Sequence, residues 1–302
     1  MSIYDQYSAD ALKTFVPAHD SFVGIDSDGC VFDTMEKKQK QCFHGLIVKA
    51  WDLRAIEPEV RQTAEFVNLY SRSRGQNRFT ALRQTFELLA QRPEVVASDA
   101  VLPDHSALDA LIDSGVTLDN KAVARAAYKT DATFLRELLA WSLAVNEVIE
   151  RKVLHIPPFP WAAKSLDLMQ KKSDLMVVSQ TPLDALVREW DANNMLNQIQ
   201  FIAGQEIGTK TEHLAMATWG RYAPSRVLMI GDAVGDRVAA EAGGAWFYPI
   251  NPGQEDDSWK RFHDETYGRF MDGSFDPAYQ QRLNAEFDAL LPENPSWETT
   301  AR

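Results

Sequence analysis

Four short segments of this 302-residue chain carry residue types that can do chemistry together. The first is Asp26-Ser27-Asp28-Gly29, directly after the apolar run Phe22-Val23-Gly24-Ile25. An apolar strand that stops there delivers two carboxylates and a flexible turn to the carboxyl edge of a sheet. Open parallel sheets bind ligands at that edge. Two like charges so close repel, and a cation among them relieves the cost. Mg²⁺ suits such a place, because it takes a few carboxylates together with waters and phosphate oxygens. Asp and Gly are also ordinary turn formers, so the segment by itself reads either way.

Three more segments complete the set. Ser179 ends the apolar run Leu175-Met176-Val177-Val178, and Lys210 opens a helical stretch after Gly208-Thr209. Gly231-Asp232-Ala233-Val234-Gly235-Asp236 follows Val227-Leu228-Met229-Ile230. If the strands are parallel, carboxylates, a hydroxyl and an ammonium meet on one rim. That inventory fits phosphoryl transfer. A carboxylate can attack phosphorus and form an aspartyl-phosphate, and a second can protonate the leaving alkoxide. Cations and donors hold the charge on the equatorial oxygens. Each residue also has a plain reading. Ser179 could cap the next helix, although Thr181 is the better cap because Pro182 then takes the first helical position. Lys210 alone would be a solvated lysine, and Asp236 could be a helix N-terminal residue favoured by the macrodipole.

The elements that must position these residues follow from periodicity. Residues 8–16 predict a short helix and 21–26 a strand. Between 36 and 154 helical spacing dominates, as in Phe79, Leu82, Phe86 and Leu89, with Pro93, Pro103 and Gly115 as breaks. His155-Ile156-Pro157-Pro158-Phe159-Pro160 is a stiff, extended return strap. Helix and strand then alternate: 161–172, 175–179, 183–193, 199–202, 211–219, 227–230, 236–242 and 245–250. Alternation of this kind predicts an α/β fold, a Rossmann-like parallel sheet core with an inserted α-helical domain. The expected division is a core of 1–35 and 155–250, an insertion of 36–154, and an aromatic extension of 251–302 packed on the core. Within the extension a helix is expected at 277–291, and the residues from Pro292 are expected to fray.

In order and spacing the four segments resemble the motifs of the haloacid dehalogenase (HAD) superfamily. The match covers 21–35 and 156–250. The insertion between the first and second motifs is similar to that family's mostly helical cap. The resemblance implies that Asp26 is the nucleophile and a Mg²⁺ ligand, and that Asp28 is the general acid/base with its backbone carbonyl on the metal. It further implies that Ser179 binds the phosphoryl oxygens, that Lys210 neutralises the nucleophile and the transferring group, and that Asp232 completes the metal site. Asp236 would hold a metal-bound water or Lys210 rather than touch the ion. An acid at Asp28 points to phosphate rather than carbon–halogen chemistry. Cys30 stands where Thr or Val is frequent. The implied function is a Mg²⁺-dependent phosphomonoester hydrolase acting on a small phosphorylated metabolite. A phosphotransferase or mutase of the sugar-phosphate type shares every core residue. A non-catalytic binding protein on the same fold would have no use for an acid/base beside a nucleophile.

Specificity would come from the insertion, read as a cap that contacts the substrate beyond its phosphate. Its best patch is Ser71-Arg72-Ser73-Arg74-Gly75-Gln76-Asn77-Arg78. Either Arg72, Arg74 and Arg78 read a substrate anion, for which their planar donors are suited, or the stretch is a solvated loop between helices. Lys37, Lys38 and Lys40 read as a solvated helix face. The net charge of −12 argues against nucleic acid or an anionic membrane as partner. No apolar run reaches membrane-spanning length and the N-terminus lacks a signal-peptide core, so the cytoplasm is the expected location. Cys30 and Cys42 form no disulfide framework, and Cys30 reads as a small buried filler. Gly204 to Thr211 lacks the Gly-Lys pair of a phosphate-binding P-loop, and the histidines form no metal pair.

Overall fold

In the computed structural model, which describes residues 2–153 and 155–299, the apolar runs become five strands. They are β1 Phe22–Ile25, β2 Asp174–Val178, β3 Phe201–Ala203, β4 Val227–Gly231 and β5 Trp246–Pro249. They form one sheet in the order β3-β2-β1-β4-β5, with every pairing parallel. β1, β2 and β4 are buried at every residue, as expected of parallel strands covered on both faces. β1 is central. The chain passes first to β2 and β3 on one side and then to β4 and β5 on the other. The connections therefore reverse at β1 and open a crevice beyond its carboxyl end.

Helices Pro160–Met169, Leu183–Ala192, Lys210–Thr218 and Val234–Ala242 link or flank the strands. The expected alternation holds, with ends shifted by no more than three residues. Gly24 lets the Lys210 helix sit close to the sheet. A Cβ at Gly24 would lie 3.0 Å from Leu214 Cδ2 and 3.1 Å from Met229 Sδ and Val178 Cγ2. No helix among the described residues is long and apolar enough to cross a membrane.

Contacts divide the chain into two compact units. The first is Met1–Met35 with His155–Leu291, and the second is Glu36–Leu154 with Pro292–Arg302. Past β5 the first unit continues through helices Glu255–Arg261, Tyr267–Asp272 and Pro277–Leu290. This extension covers the edge strand. Phe247 meets Phe287 at 5.8 Å, Tyr248 meets Phe262 at 5.0 Å, and the side-chain oxygen of Gln280 accepts the outward N–H of Phe247 at 2.8 Å. An edge closed in this way offers no template for a further strand.

The second unit is helical, with its longest helices at Glu57–Leu69, Arg78–Leu89, Asn120–Thr130 and Thr133–Lys152. Trp51, Phe86 and Phe134 pack together in it, Trp51 meeting Phe86 edge-on at 5.1 Å and stacking on Phe134 at 5.7 Å. The sequence reading keeps all of 251–302 with the core and has it fray from Pro292, whereas contacts group Pro292 onward with the helical unit. There Trp297 packs 5.5 Å from Phe66 and beneath the Arg92 guanidinium at 4.5 Å. An indole that finds an apolar face and a cation gains more than a frayed end would.

His44 lies buried in this unit at 1% exposure. Burial, aided by Arg61 and Lys40, pulls its imidazole down to about 4. In the unfolded chain it takes a proton near the ordinary value of about 6.5. Between those two values the unfolded state binds more protons, so stability falls as pH drops through that window. A His44→Leu variant is therefore expected to lose thermal midpoint less steeply than the parent between pH about 6.5 and about 4. Parallel declines would show that His44 is not the source.

Candidate active site

Each motif residue lies just past the carboxyl end of a strand or at the start of the helix that follows one. Asp26 continues β1, its N–H donating to Ile230 O on β4 at 2.9 Å. Ser179 continues β2, its N–H donating to Ala203 O on β3 at 3.0 Å. Asp232 continues β4 and is fully buried. Lys210 opens its helix behind a capping box, in which Thr209 Oγ1 accepts the Glu212 N–H at 3.3 Å and Glu212 accepts the Thr209 N–H at 2.7 Å. A cation at a helix N-terminus opposes the dipole. Here two carboxylates override that cost.

Lys210 Nζ lies 2.8 Å from Asp26 Oδ2 and 2.6 Å from Asp236 Oδ1. Burial works against its ammonium, but Asp236 and Asp26 more than compensate and hold it above the ordinary lysine range. Burial pushes the Asp236 carboxyl upward, Lys210 pulling against that rise and Asp26 adding to it. The Asp236 carboxylate serves two purposes. Oδ1 takes Lys210, and Oδ2 accepts the Ala233 N–H at 3.0 Å. Both sequence readings of Asp236, Lys210 partner and helix N-terminal residue, describe the same side chain. Gly231 leaves the room this requires, since a Cβ there would stand 2.2 Å from Asp236 Cγ.

Carboxylate oxygens of Asp26, Asp232 and Asp236 all lie within 4.8 Å of one another, and all three residues are buried. One ammonium against three buried carboxylates leaves two negative charges in excess, a burden that a divalent cation relieves. The donor set is all oxygen, which suits Mg²⁺.

The Asp28 side chain stands outside this cluster. Thr181 Oγ1 donates to its Oδ2 at 2.7 Å and the Thr34 hydroxyl donates to its Oδ1. Thr181 is therefore no helix cap. The helix begins at Leu183, whose N–H is taken by the Glu206 carboxylate at 3.1 Å. Ser179 is 2% exposed, and its hydroxyl accepts the Thr181 N–H at 3.2 Å. Gln180 ties this loop to the Lys210 loop through Gly208 O at 2.9 Å. Thr34 and Thr181 escape sequence reading because nothing in their own neighbourhood signals a partner in Asp28. Cys30 is buried, and its thiol is pushed well up by burial, with Asp232, Asp26 and Asp236 adding to the rise, so it is a filler and not a nucleophile.

A parallel sheet with β1 central, a helical unit inserted after the first motif, and the motif residues on one carboxyl rim are the features the motif order implies. This arrangement resembles that of the haloacid dehalogenase superfamily. Several solved structures of similar fold carry that family name. A haloacid dehalogenase-like hydrolase from Xanthomonas campestris is 12% identical, covers 84% of this chain and 95% of its own, and superposes with a TM-score of 0.41. A provisionally named phosphoglycolate phosphatase from Lactobacillus delbrueckii subsp. bulgaricus is 14% identical over 82% and 92%, with a TM-score of 0.48. The HAD-hydrolase YfnB of Bacillus subtilis, also provisionally named and bound to magnesium, is 12% identical over 78% and 88%, with a TM-score of 0.43. At such identities and scores no statement about this chain's chemistry rests on them. No family model and no curated protein matches the chain.

The arginine patch is placed differently from its substrate-reading expectation. Arg74 is 3% exposed and donates to Leu69 O at 2.8 Å. Arg78 donates to Ser142 Oγ at 3.1 Å and Asn146 Oδ1 at 2.7 Å, over the Phe43 ring. Both heads close backbone or side-chain acceptors inside the helical unit, and only Arg72 is exposed. Lys40 is likewise paired, with Glu36 at 2.7 Å and Glu65 at 3.1 Å. Arg74→Ala is expected to cost about 1–3 kcal/mol in urea unfolding, since it strands a buried carbonyl, whereas Arg72→Ala should leave stability unchanged. Equal stability of the two variants would overturn the structural role of Arg74.

Proposed function

We propose that this protein is a Mg²⁺-dependent phosphomonoester hydrolase working through an aspartyl-phosphate on Asp26. The observation that carries this reading is the contrast between the two carboxylates of one turn. Asp26 sits in an ionic cluster with Lys210, whereas Asp28 accepts from two threonine hydroxyls. Carboxylates in separate environments can take separate roles.

Asp26 attacks phosphorus in line with the ester oxygen. The new bond runs from its carboxylate oxygen to phosphorus as the phosphorus–oxygen ester bond breaks. Asp28 gives its proton to the departing alkoxide. Lys210 holds the Asp26 carboxylate in position and, with the Ser179 hydroxyl and backbone N–H groups at the strand ends, faces the charge on the equatorial oxygens. Asp28, now a carboxylate, takes a proton from water as that water attacks phosphorus, which frees phosphate and restores Asp26. Mg²⁺, held by Asp26, Asp232 and the Asp28 carbonyl, would supply the positive charge that lets two anions approach. Glu36–Leu154 serves as the cap that selects the rest of a small phosphorylated metabolite.

With Mg²⁺ the protein is expected to hydrolyse members of a phosphomonoester panel, to stop on chelation, and to recover on adding Mg²⁺ back. Asp26→Asn should lower kcat by at least about a thousandfold, as loss of a nucleophile does. Borohydride trapping during turnover should mark Asp26 alone. Turnover undiminished by chelation, or a trapped residue other than Asp26, would overturn the reading.

A further inference from the structure

The catalytic turn is gripped by two buried indoles, each fully enclosed. Trp190, from the helix Leu183–Ala192, donates Nε1–H to Ser27 Oγ at 3.0 Å. Ser27 Oγ in turn donates to Glu189 Oε2 at 3.2 Å. Trp259, from the helix Glu255–Arg261 of the C-terminal extension, donates Nε1–H to Cys30 O at 2.7 Å. Both tryptophans are 0% exposed. The residues they hold, Ser27 and Cys30, bracket Asp28, and Ser27 N–H donates to Asp26 Oδ1 at 2.8 Å.

Each bond is local to a different constraint. The Ser27 carbonyl already receives the N–H groups of Cys30, Val31 and Phe32 at 3.4, 3.0 and 3.2 Å, so the turn is internally wound. Winding alone fixes its shape and not its tilt against the sheet. Trp190 and Trp259 join Asp26 N–H on Ile230 O and Thr181 Oγ1 on Asp28 in tying it to elements far along the chain, and they alone of these hold its Ser27 side chain and Cys30 carbonyl through indole N–H groups. Trp190 also meets the Phe32 ring edge-on at 5.7 Å, just beyond the turn. Trp259 is itself placed by Phe262 at 5.6 Å, within the segment that covers β5.

We infer that Trp259 and Trp190 are positioning residues, an indole clamp that sets the distance and angle between the Asp26 and Asp28 carboxylates, and that the C-terminal extension thereby serves catalysis as well as the sheet edge. The inference rests on the hydrolase reading above. Asp26 must approach phosphorus in line while Asp28 reaches the ester oxygen. A tilt of the turn that leaves each side chain intact still separates them, and small misplacements cost rate steeply. Binding of the phosphate at Ser179 does not depend on the turn to the same degree. Loss of the clamp therefore lowers kcat more than it raises KM.

The test uses the full chain with Mg²⁺ and p-nitrophenyl phosphate, and compares Trp259→Phe with Tyr267→Phe. The first keeps an aromatic ring but removes the N–H together with the volume of the fused five-membered ring. The second removes a hydroxyl of the same extension, bonded to Ser173 at 2.9 Å, and touches nothing in the turn. The expected result for Trp259→Phe is a fall in kcat of about ten- to a hundredfold with KM within about twofold. Tyr267→Phe should keep the parental kcat even where its thermal midpoint drops as far. Trp190→Phe should reproduce the kcat-selective loss. Equal kcat losses in Trp259→Phe and Tyr267→Phe would reduce the effect to general loosening and overturn the clamp, as would a parental kcat in Trp259→Phe. An inactive parent protein would instead overturn the hydrolase reading, and the clamp's catalytic role with it.

Discussion

The site is organised by a charge imbalance. One buried ammonium, Lys210, lies between Asp26 and Asp236, with the buried Asp232 close by. Three carboxylates and one lysine taken out of water would not sit together without further compensation. The fold supplies part of it. Lys210 reaches in from a helix start, and the Ala233 N–H bonds the second oxygen of Asp236. The remainder calls for a divalent cation. Much else follows from keeping this cluster compact. Gly24 lets the lysine helix close on the sheet, and Gly231 leaves room for the Asp236 carboxylate.

Around that cluster stands a second set of contacts with a different purpose. Asp28, two residues from Asp26, accepts from the Thr34 and Thr181 hydroxyls. Hydroxyls orient a carboxylate without adding net charge. The turn between them hangs on Trp190 and Trp259. An element at the far end of the chain thus reaches the residues that open the first motif. The aromatic tail closes the β5 edge through Phe262 and Phe287 and bonds the turn through Trp259.

Several features lay open in the residue pattern, for identifiable reasons. Parallel strands buried on both faces are largely apolar, so β1, β2 and β4 stand out as short apolar runs, each followed at once by its candidate residue. A long stretch of helical spacing between two such runs has to be an insertion, because it interrupts the alternation. The helices at 255–261 and 267–272 were not legible, because their aromatic residues follow no single period. The arginine-rich stretch misleads for a similar reason. Polarity in a sequence suggests solvent, whereas Arg74 and Arg78 find carbonyl and amide acceptors inside the helical unit.

From the chain alone come the α/β class and the choice of Asp26, Asp28, Ser179, Lys210, Asp232 and Asp236 as candidates. Each sits at a strand end or helix start, and local pattern fixes those places. The partners of these side chains come only with the folded molecule: the two hydroxyls on Asp28, the Glu206 cap that displaces Thr181, the indoles on Ser27 and Cys30, and the packing of Trp297 against Phe66. Such contacts join residues up to 229 positions apart. Local propensity acts over a few residues, so a hydrogen bond across that span exists only once the sheet has set both ends in place.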